Sequence, residues 1–141
     1  MTPRLLHHHS SLAHENPPGH PERVDRIKAI NQILSHAHFK PLKRKQAPLA
    51  RDEDILRAHP DVYLRQIREA APDEGFAQID MDTFMSPGTL DAALRGVGAA
   101  TAAVDAVFSG EADNAFCAMR PPGHHAEARR AMGFCLFNNA A

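Results

Sequence analysis

An α/β fold built on a parallel sheet is what this sequence predicts, on three observations. Stretches with helical spacing alternate with short apolar runs along the chain. The run "NAFCAM" (114–119) has the length and composition of a buried parallel strand, and a Gly/Pro-framed loop, "RPPGHH" (120–125), follows it directly, where α/β proteins place ligand chemistry. At 141 residues, with 43% hydrophobic and 23% charged side chains, the chain has the size and mixture of one globular domain or a piece of one.

Leu5 and Leu6 make a short apolar start. After them "SSLAHENPPGHPE" (10–22) carries Pro17, Pro18, Gly19 and Pro21, which interrupt helix and ladder hydrogen bonding and predict a long, stiffened loop. Val24, Ile27, Ile30 or Asn31, and Leu34 then recur at three-to-four spacing, a helix over about 21–36 with Pro21 in its first turn. "KPLKRKQAPLA" (40–50) reads as a short extended segment. Two short helices are predicted on either side of Pro60, the second with Tyr63, Ile67 and Ala70 on one stripe. "FAQID" (76–80) alternates weakly. In the segment 81–110, Ser86 is a candidate N-cap, Pro87 suits the first helical position, and Gly110 suits the C-terminal cap. Between them Leu90, Leu94, Val97, Thr101, Val104 and Phe108 form a helical stripe. In "FCLFNNAA" (134–141) Phe134, Leu136 and Phe137 need a core, as in a loop opening into a new element, so the chain reads as the amino-terminal part of a larger domain.

The formal net charge of −1 offers no electrostatic case for nucleic acid or an anionic membrane as partner. No stretch approaches the roughly 20 consecutive apolar residues of a membrane span. The alanine-rich run 92–107 is interrupted by Arg95 and Asp105, with Asp91 just before it. Two cysteines without C-x-x-C spacing, and no signal-like N-terminus, predict a reducing, cytoplasmic setting with Cys117 and Cys135 as buried thiols. His7, His8 and His9 read as part of a native loop.

The chemistry-bearing feature is the pair His124–His125. Histidine exchanges protons near neutral pH, so two of them fixed beside a reacting group can divide acid, base and electrostatic roles. Adjacent side chains of a regular strand point to opposite faces, so their convergence requires irregular backbone; Gly123 supplies it and Pro121 and Pro122 hold it.

"RPPGHHA" followed by "GFCLFNN" resembles the zinc-dependent histone deacetylase family, which includes bacterial amidohydrolases, acetylpolyamine amidohydrolases and acetoin-utilisation proteins. "HENPPGHPERVDRI" (14–27) resembles that family's first active-site loop and the helix after it. "DMDTFMSPGTLDAALRG" (80–96) resembles the segment before its long helix in the class II and bacterial branches, which the second Asn of "FNN" also favours. The resemblance implies an arginase/deacetylase-type three-layer fold with a parallel sheet, truncated after the tandem-histidine strand and loop, with residues 1–141 the amino-terminal portion of a single domain. It implies hydrolysis of N-acetyl amides, with an acetylated small-molecule amine or acetyl-lysine as substrate. By motif position His125 is the general base that later protonates the leaving amine and His124 its electrostatic partner, while Gly133 and Phe134 line the acyl-binding tunnel. Two readings stand for Asp82, a substrate contact at the rim or a loop cap, and two for Phe134, tunnel wall or core. His14 and His20 are either solvated or take a structural or rim role, which the resemblance to the first active-site loop favours over metal binding.

The family's zinc ligands, an Asp-x-His pair and a further Asp, follow "GFC", and no Asp-x-His follows Phe134 here. The resemblance therefore implies Zn2+ for the full-length domain, no metal ligand in this chain, and inactivity of the 141 residues alone. The family's oxyanion-stabilising tyrosine also lies downstream, so Tyr63 does not take that role. The alternative to an enzyme piece is a non-catalytic remnant or binding module of the same fold, one that pairs with another subunit. A small histidine-rich metal-binding protein is disfavoured by the scatter of the ten histidines.

Overall fold

The computed structural model describes residues 2–141. Its elements are β1 (Pro3–His7), α1 (Val24–Leu34), β2 (Lys43–Gln46), α2 (Asp52–Ile55), α3 (Asp61–Ala70), β3 (Ala77–Asp80), β4 (Thr83–Met85), α4 (Thr89–Phe108) and β5 (Asn114–Ala118). β1 is the middle strand of a parallel sheet ordered β2-β1-β5, and β3 and β4 form a separate antiparallel hairpin.

Successive strand residues point to opposite faces, and β1 shows what that does here. Leu5 packs with Ile27 and Leu34 of α1 and with Ala118, whereas Leu6 packs on the other face with Ala47 and with Ala99, Ala102 and Ala103 of α4. Two adjacent leucines thus define a helix–sheet–helix sandwich, the α/β layering that the sequence predicts. A further layer covers the far side of α4, where Ala93 and Val97 meet Ile55, Tyr63, Leu64, Ile67, Met85, Leu136 and Phe137.

Several elements differ from expectation. The first helix begins at Val24 rather than Pro21, because Arg23 is extended and the Glu22 side chain is buried in an ion pair instead of lying on a helix surface. Ser86 is not the N-cap of α4; Gly88 is, and the Ser86 hydroxyl turns inward to accept from the Glu15 N–H at 2.9 Å. Gly110 does terminate the helix, in the left-handed region at φ 76°. The large-residue stripe of α4 buries only in part: Val104 and Phe108 are exposed, and the sheet-facing surface is made of alanines and glycines. Small side chains let α4 lie close to its neighbours; a β-carbon on Gly98 would sit 2.0 Å from the Pro48 carbonyl oxygen. The pair Leu5–Leu6, read only as an apolar start, is the central strand. β5 is parallel as expected but not buried throughout, with Phe116 54% exposed.

Among the described residues β5 pairs with β1 alone, and Phe116 of β5 and Phe108 at the end of α4 expose apolar surface. An uncovered edge with apolar neighbours promotes association. The isolated 141-residue polypeptide is therefore expected to self-associate in light scattering as concentration rises; a monomer at all concentrations, with a sharp cooperative melt, would contradict this.

Candidate active site

Parallel strands all release their chains at the same end of the sheet, so the loops after β1 and β5, neighbours in the ladder, are delivered side by side. The first runs from His8 to Arg23 and contains only a 3-10 turn, His9–Leu12, capped by His8 through its ring nitrogen. Its conformation is set by Arg120, the first residue of the second loop's Arg-Pro-Pro-Gly entry. The Arg120 guanidinium donates from Nε and Nη2 to the two carboxylate oxygens of Glu22, both at 2.8 Å, and from Nη1 to the carbonyls of Ser11 and His14. The Arg120 N–H donates to the Ser11 hydroxyl at 3.1 Å. Arg120 and Glu22 are 3% and 1% exposed, so this two-pronged pair is inside the protein.

His14 extends the network. Burial holds its pKa below the ordinary value, so the ring is neutral: Nε2–H faces Glu22 at 3.3 Å, and Nδ1 accepts from the Thr89 hydroxyl at 2.7 Å. Burial by itself would push the Glu22 carboxyl up, but the bonds from His14 and Arg120 outweigh it and hold the group at about 2. Asn16 adds a donor to Glu22 Oε2 at 3.0 Å. His14 thus takes a structural role, buried rather than solvated.

The tandem histidines emerge from this anchored base. Gly123 allows the turn by close approach, since a β-carbon there would lie 2.3 Å from Asn139 Oδ1 and 2.4 Å from the Phe137 carbonyl oxygen. The Ala126 N–H closes the turn onto the Gly123 carbonyl at 3.1 Å, and the His125 N–H points to the Cys135 sulfur at 3.4 Å. The two imidazole rings converge, 4.2 Å between centroids, and both are exposed above a buried backbone.

Against His125 lies the turn Met132–Cys135, closed by bonds in both directions between its end residues. Its central residues, Gly133 at φ 57° and Phe134 at φ 70°, are both left-handed, as in a type I′ turn. For a bulky residue this backbone is strained by roughly 1–3 kcal/mol. Neighbours hold it: the Gly133 N–H donates to Asp82 Oδ1 at 3.2 Å and the Phe134 N–H to the Thr83 hydroxyl at 3.1 Å. Phe134 is half-buried and meets the edge of His20, 4.9 Å between centroids, while His20 bonds the Asp82 carbonyl at 2.8 Å and packs on Phe84. Burial raises the pKa of the Cys135 thiol, which donates to the Gly133 carbonyl at 3.2 Å. Burial also raises that of Cys117, which is only partly covered.

His124, His125, Gly133, Phe134 and Asp82 therefore form one cluster. His20 joins it through the Phe134 ring and the Asp82 carbonyl. Thr83 escaped the sequence reading because a threonine in a short hairpin carries no signal. The partnership of Glu22 with Arg120 escaped because 98 residues separate them.

A family model of the histone deacetylase domain matches residues 20–141. The chain belongs to the histone deacetylase family. It is 41% identical over 124 residues to a histone deacetylase-like amidohydrolase of Pseudomonas aeruginosa, covering 87% of this chain and 32% of that protein. It is 36% identical over 147 residues to a probable deacetylase of Archaeoglobus fulgidus, covering 100% of this chain and 40% of the relative. The crystal structure of the HDA15 HD domain superimposes with a TM-score of 0.92 at 28% identity, over 99% of this chain and 40% of that one. The chain thus spans about a third to two-fifths of the length of these histone deacetylase relatives. The arginase/deacetylase-type α/β fold is that of the family, without a closed barrel. Among the described residues no group of three or more His, Cys, Asp or Glu side chains is arranged to hold a metal ion. No described helix is long and apolar enough to cross a membrane.

Glu22→Gln leaves the Arg120 charge buried without its counter-charge, and is expected to cost about 3–5 kcal/mol of stability at neutral pH in denaturant unfolding. With a folded value of about 2 against an ordinary 4.5, the Glu22 contribution is complete above pH 4.5 and is lost as pH falls toward 2. The gap between wild type and variant should close over that window. His14, buried neutral, acts in the same direction, its contribution being lost as pH falls below 6.5.

Gly133→Ala tests the turn against Gly75→Ala, since both glycines are left-handed but only Gly133 is crowded. A β-carbon at Gly133 would lie 2.7 Å from the His125 β-carbon, and one at Gly75 would meet nothing within 4 Å. Gly75→Ala should lose about 1–2 kcal/mol, the left-handed backbone cost. Gly133→Ala should lose clearly more in the same unfolding measurement.

Proposed function

We propose that this chain forms the tandem-histidine half of the active site of a deacetylase that hydrolyses N-acetyl amides, acetyl-lysine or acetylated polyamines. The observation that carries the proposal is the convergence of the His124 and His125 rings beside the left-handed Gly133–Phe134 turn. The reaction requires a base that takes a proton from water as its oxygen attacks the acetyl carbon. It then requires an acid that returns a proton to the amine nitrogen as the C–N bond breaks. In this reading His125 performs both steps. Its backbone is held by Cys135 and the Gly123–Ala126 turn, so its ring works from a fixed base. His124, in ring contact with it, stabilises the charge that develops. Gly133, lacking a side chain, and the Phe134 ring form a narrow apolar wall suited to an unbranched acyl-amine stem. Asp82 spends Oδ1 on the Gly133 N–H and is exposed beside it, so one carboxylate both fixes the turn and faces substrate at the rim.

Zinc dependence is part of the proposal for the full-length protein, with the metal held by residues outside these 141. The polypeptide of 141 residues alone is accordingly proposed to be inactive, in a cytoplasmic protein.

The test is a pair of substitutions in the full-length protein, assayed on acetyl-lysine and acetylpolyamine substrates. His125→Ala is expected to lower kcat on the order of 10²- to 10⁴-fold, the range for a lost acid–base group, and His124→Ala less. Metal content should stay at the wild-type level in both. Loss of metal from either variant would make that histidine a ligand, and equal small losses would leave the pair without a proton-transfer role.

A further inference from the structure

His59, outside the catalytic cluster, sits between α2 and α3 and is 2% exposed. Its ring stacks on Tyr63 at 4.7 Å and meets Phe137 edge-on. Both ring nitrogens are engaged, and with opposite polarity. Nδ1 lies 3.0 Å from the Ala128 carbonyl oxygen, which only accepts, and Nε2 lies 2.9 Å from the Asn138 N–H, which only donates. The two partners leave one arrangement: a neutral ring with its proton on Nδ1.

One partner lies in the loop that carries the tandem histidines, and the other in a segment bonded to that loop. Ala128 lies three residues beyond His125. Asn138 follows the turn that packs on His125, and its side-chain amide donates to the Ala126 carbonyl at 2.9 Å. The His125 loop is thus bound at Ala126 by Asn138 and at Ala128 by His59, and Asn138 is itself bound by His59. One buried ring ties the outgoing arm of the loop to the segment that follows the Met132–Cys135 turn.

We infer that His59 is a positioning residue that sets the placement of the His125 imidazole by bridging Ala128 and Asn138. The consequence for turnover rests on His125 acting in proton transfer; the placement itself does not. No ordinary side chain of similar volume supplies a donor and an acceptor on opposite sides of a flat ring, so substitution releases at least one of the two backbones.

The full-length protein carries the experiment, with His59→Phe as the main variant and Tyr63→Phe as its control. Phenylalanine at 59 keeps the stack and loses both bonds. Tyr63→Phe removes the neighbouring hydroxyl's bond to the Leu136 carbonyl and leaves Ala128 and Asn138 paired. At a temperature where circular dichroism shows both fully folded, His59→Phe is expected to lower kcat about ten- to a hundredfold with KM within about twofold of wild type. Tyr63→Phe should lower the melting temperature yet keep its kcat. In protein labelled with 15N-histidine, the His125 ring resonances should move in His59→Phe and stay in Tyr63→Phe. Wild-type kcat in His59→Phe, an equal loss in Tyr63→Phe, or a change confined to KM would overturn the inference. If His59→Phe does not fold, His59→Gln, whose amide can retain one bond, takes its place. A smaller kcat loss with unchanged KM then supports the inference, and wild-type kcat overturns it. If the wild-type protein deacetylates nothing, the functional reading falls, and the His125 resonances alone decide the positioning role.

Discussion

The buried pair of Arg120 and Glu22 is the constraint on which the rest of the site depends. The loop after β1 has only one short 3-10 turn and four disruptive Pro and Gly positions, so its own backbone bonds do not determine where it lies. A guanidinium that must satisfy its donors out of water, and finds Glu22 and the carbonyls of Ser11 and His14, permits one arrangement. Desolvating two charges offsets much of their attraction, so such a pair contributes less net stability than its Coulomb energy suggests. What it contributes is a single placement: the loop is fastened to the residue from which the histidine loop departs.

Rigidity and exposure are separated along the histidine loop. Pro121, Gly123 and Ala126 are buried, and the backbone between them is bonded to Cys135, Gly123 and Asn138. The rings of His124 and His125 are left open above it. A group that exchanges protons needs access to substrate and water, while its position has to be held to a fraction of an ångström; placing the restraint in the main chain satisfies both. The left-handed Phe134 follows the same logic, since its strain is balanced by bonds that the turn's N–H groups donate to Thr83 and Asp82 on the β3–β4 hairpin. A hairpin remote in sequence from the histidines therefore shapes their surroundings.

The layering explains how these parts come within reach. α4 is covered on both sides, by the sheet and by the α2–α3 layer, and its alanines and glycines allow that double contact. Thr89 at its start binds His14, and the residues packed on its far face include Leu136 and Phe137, which lead into Asn138 and so to His59. One helix of small residues thus sits between the two networks that hold the histidine loop.

The sequence by itself determined the helices, the parallel strand before the histidines, the punctuating prolines and glycines, and the tandem-histidine motif. These are local signals: period, cap and turn chemistry, and a contiguous run of residues. It also marked Gly133, Phe134 and Asp82 without saying how they meet. Only the tertiary structure decided that Leu5–Leu6 is the central strand, that α4 buries its small residues instead of its large ones, that Ser86 and His14 turn inward, and that Glu22 pairs with Arg120. It alone showed His59 bridging two segments 69 and 79 residues further along, and a phenylalanine bent into the left-handed region. Each of these depends on which surfaces face one another after folding. A buried polar side chain takes its meaning from partners distant in sequence, and no window of neighbouring residues contains them.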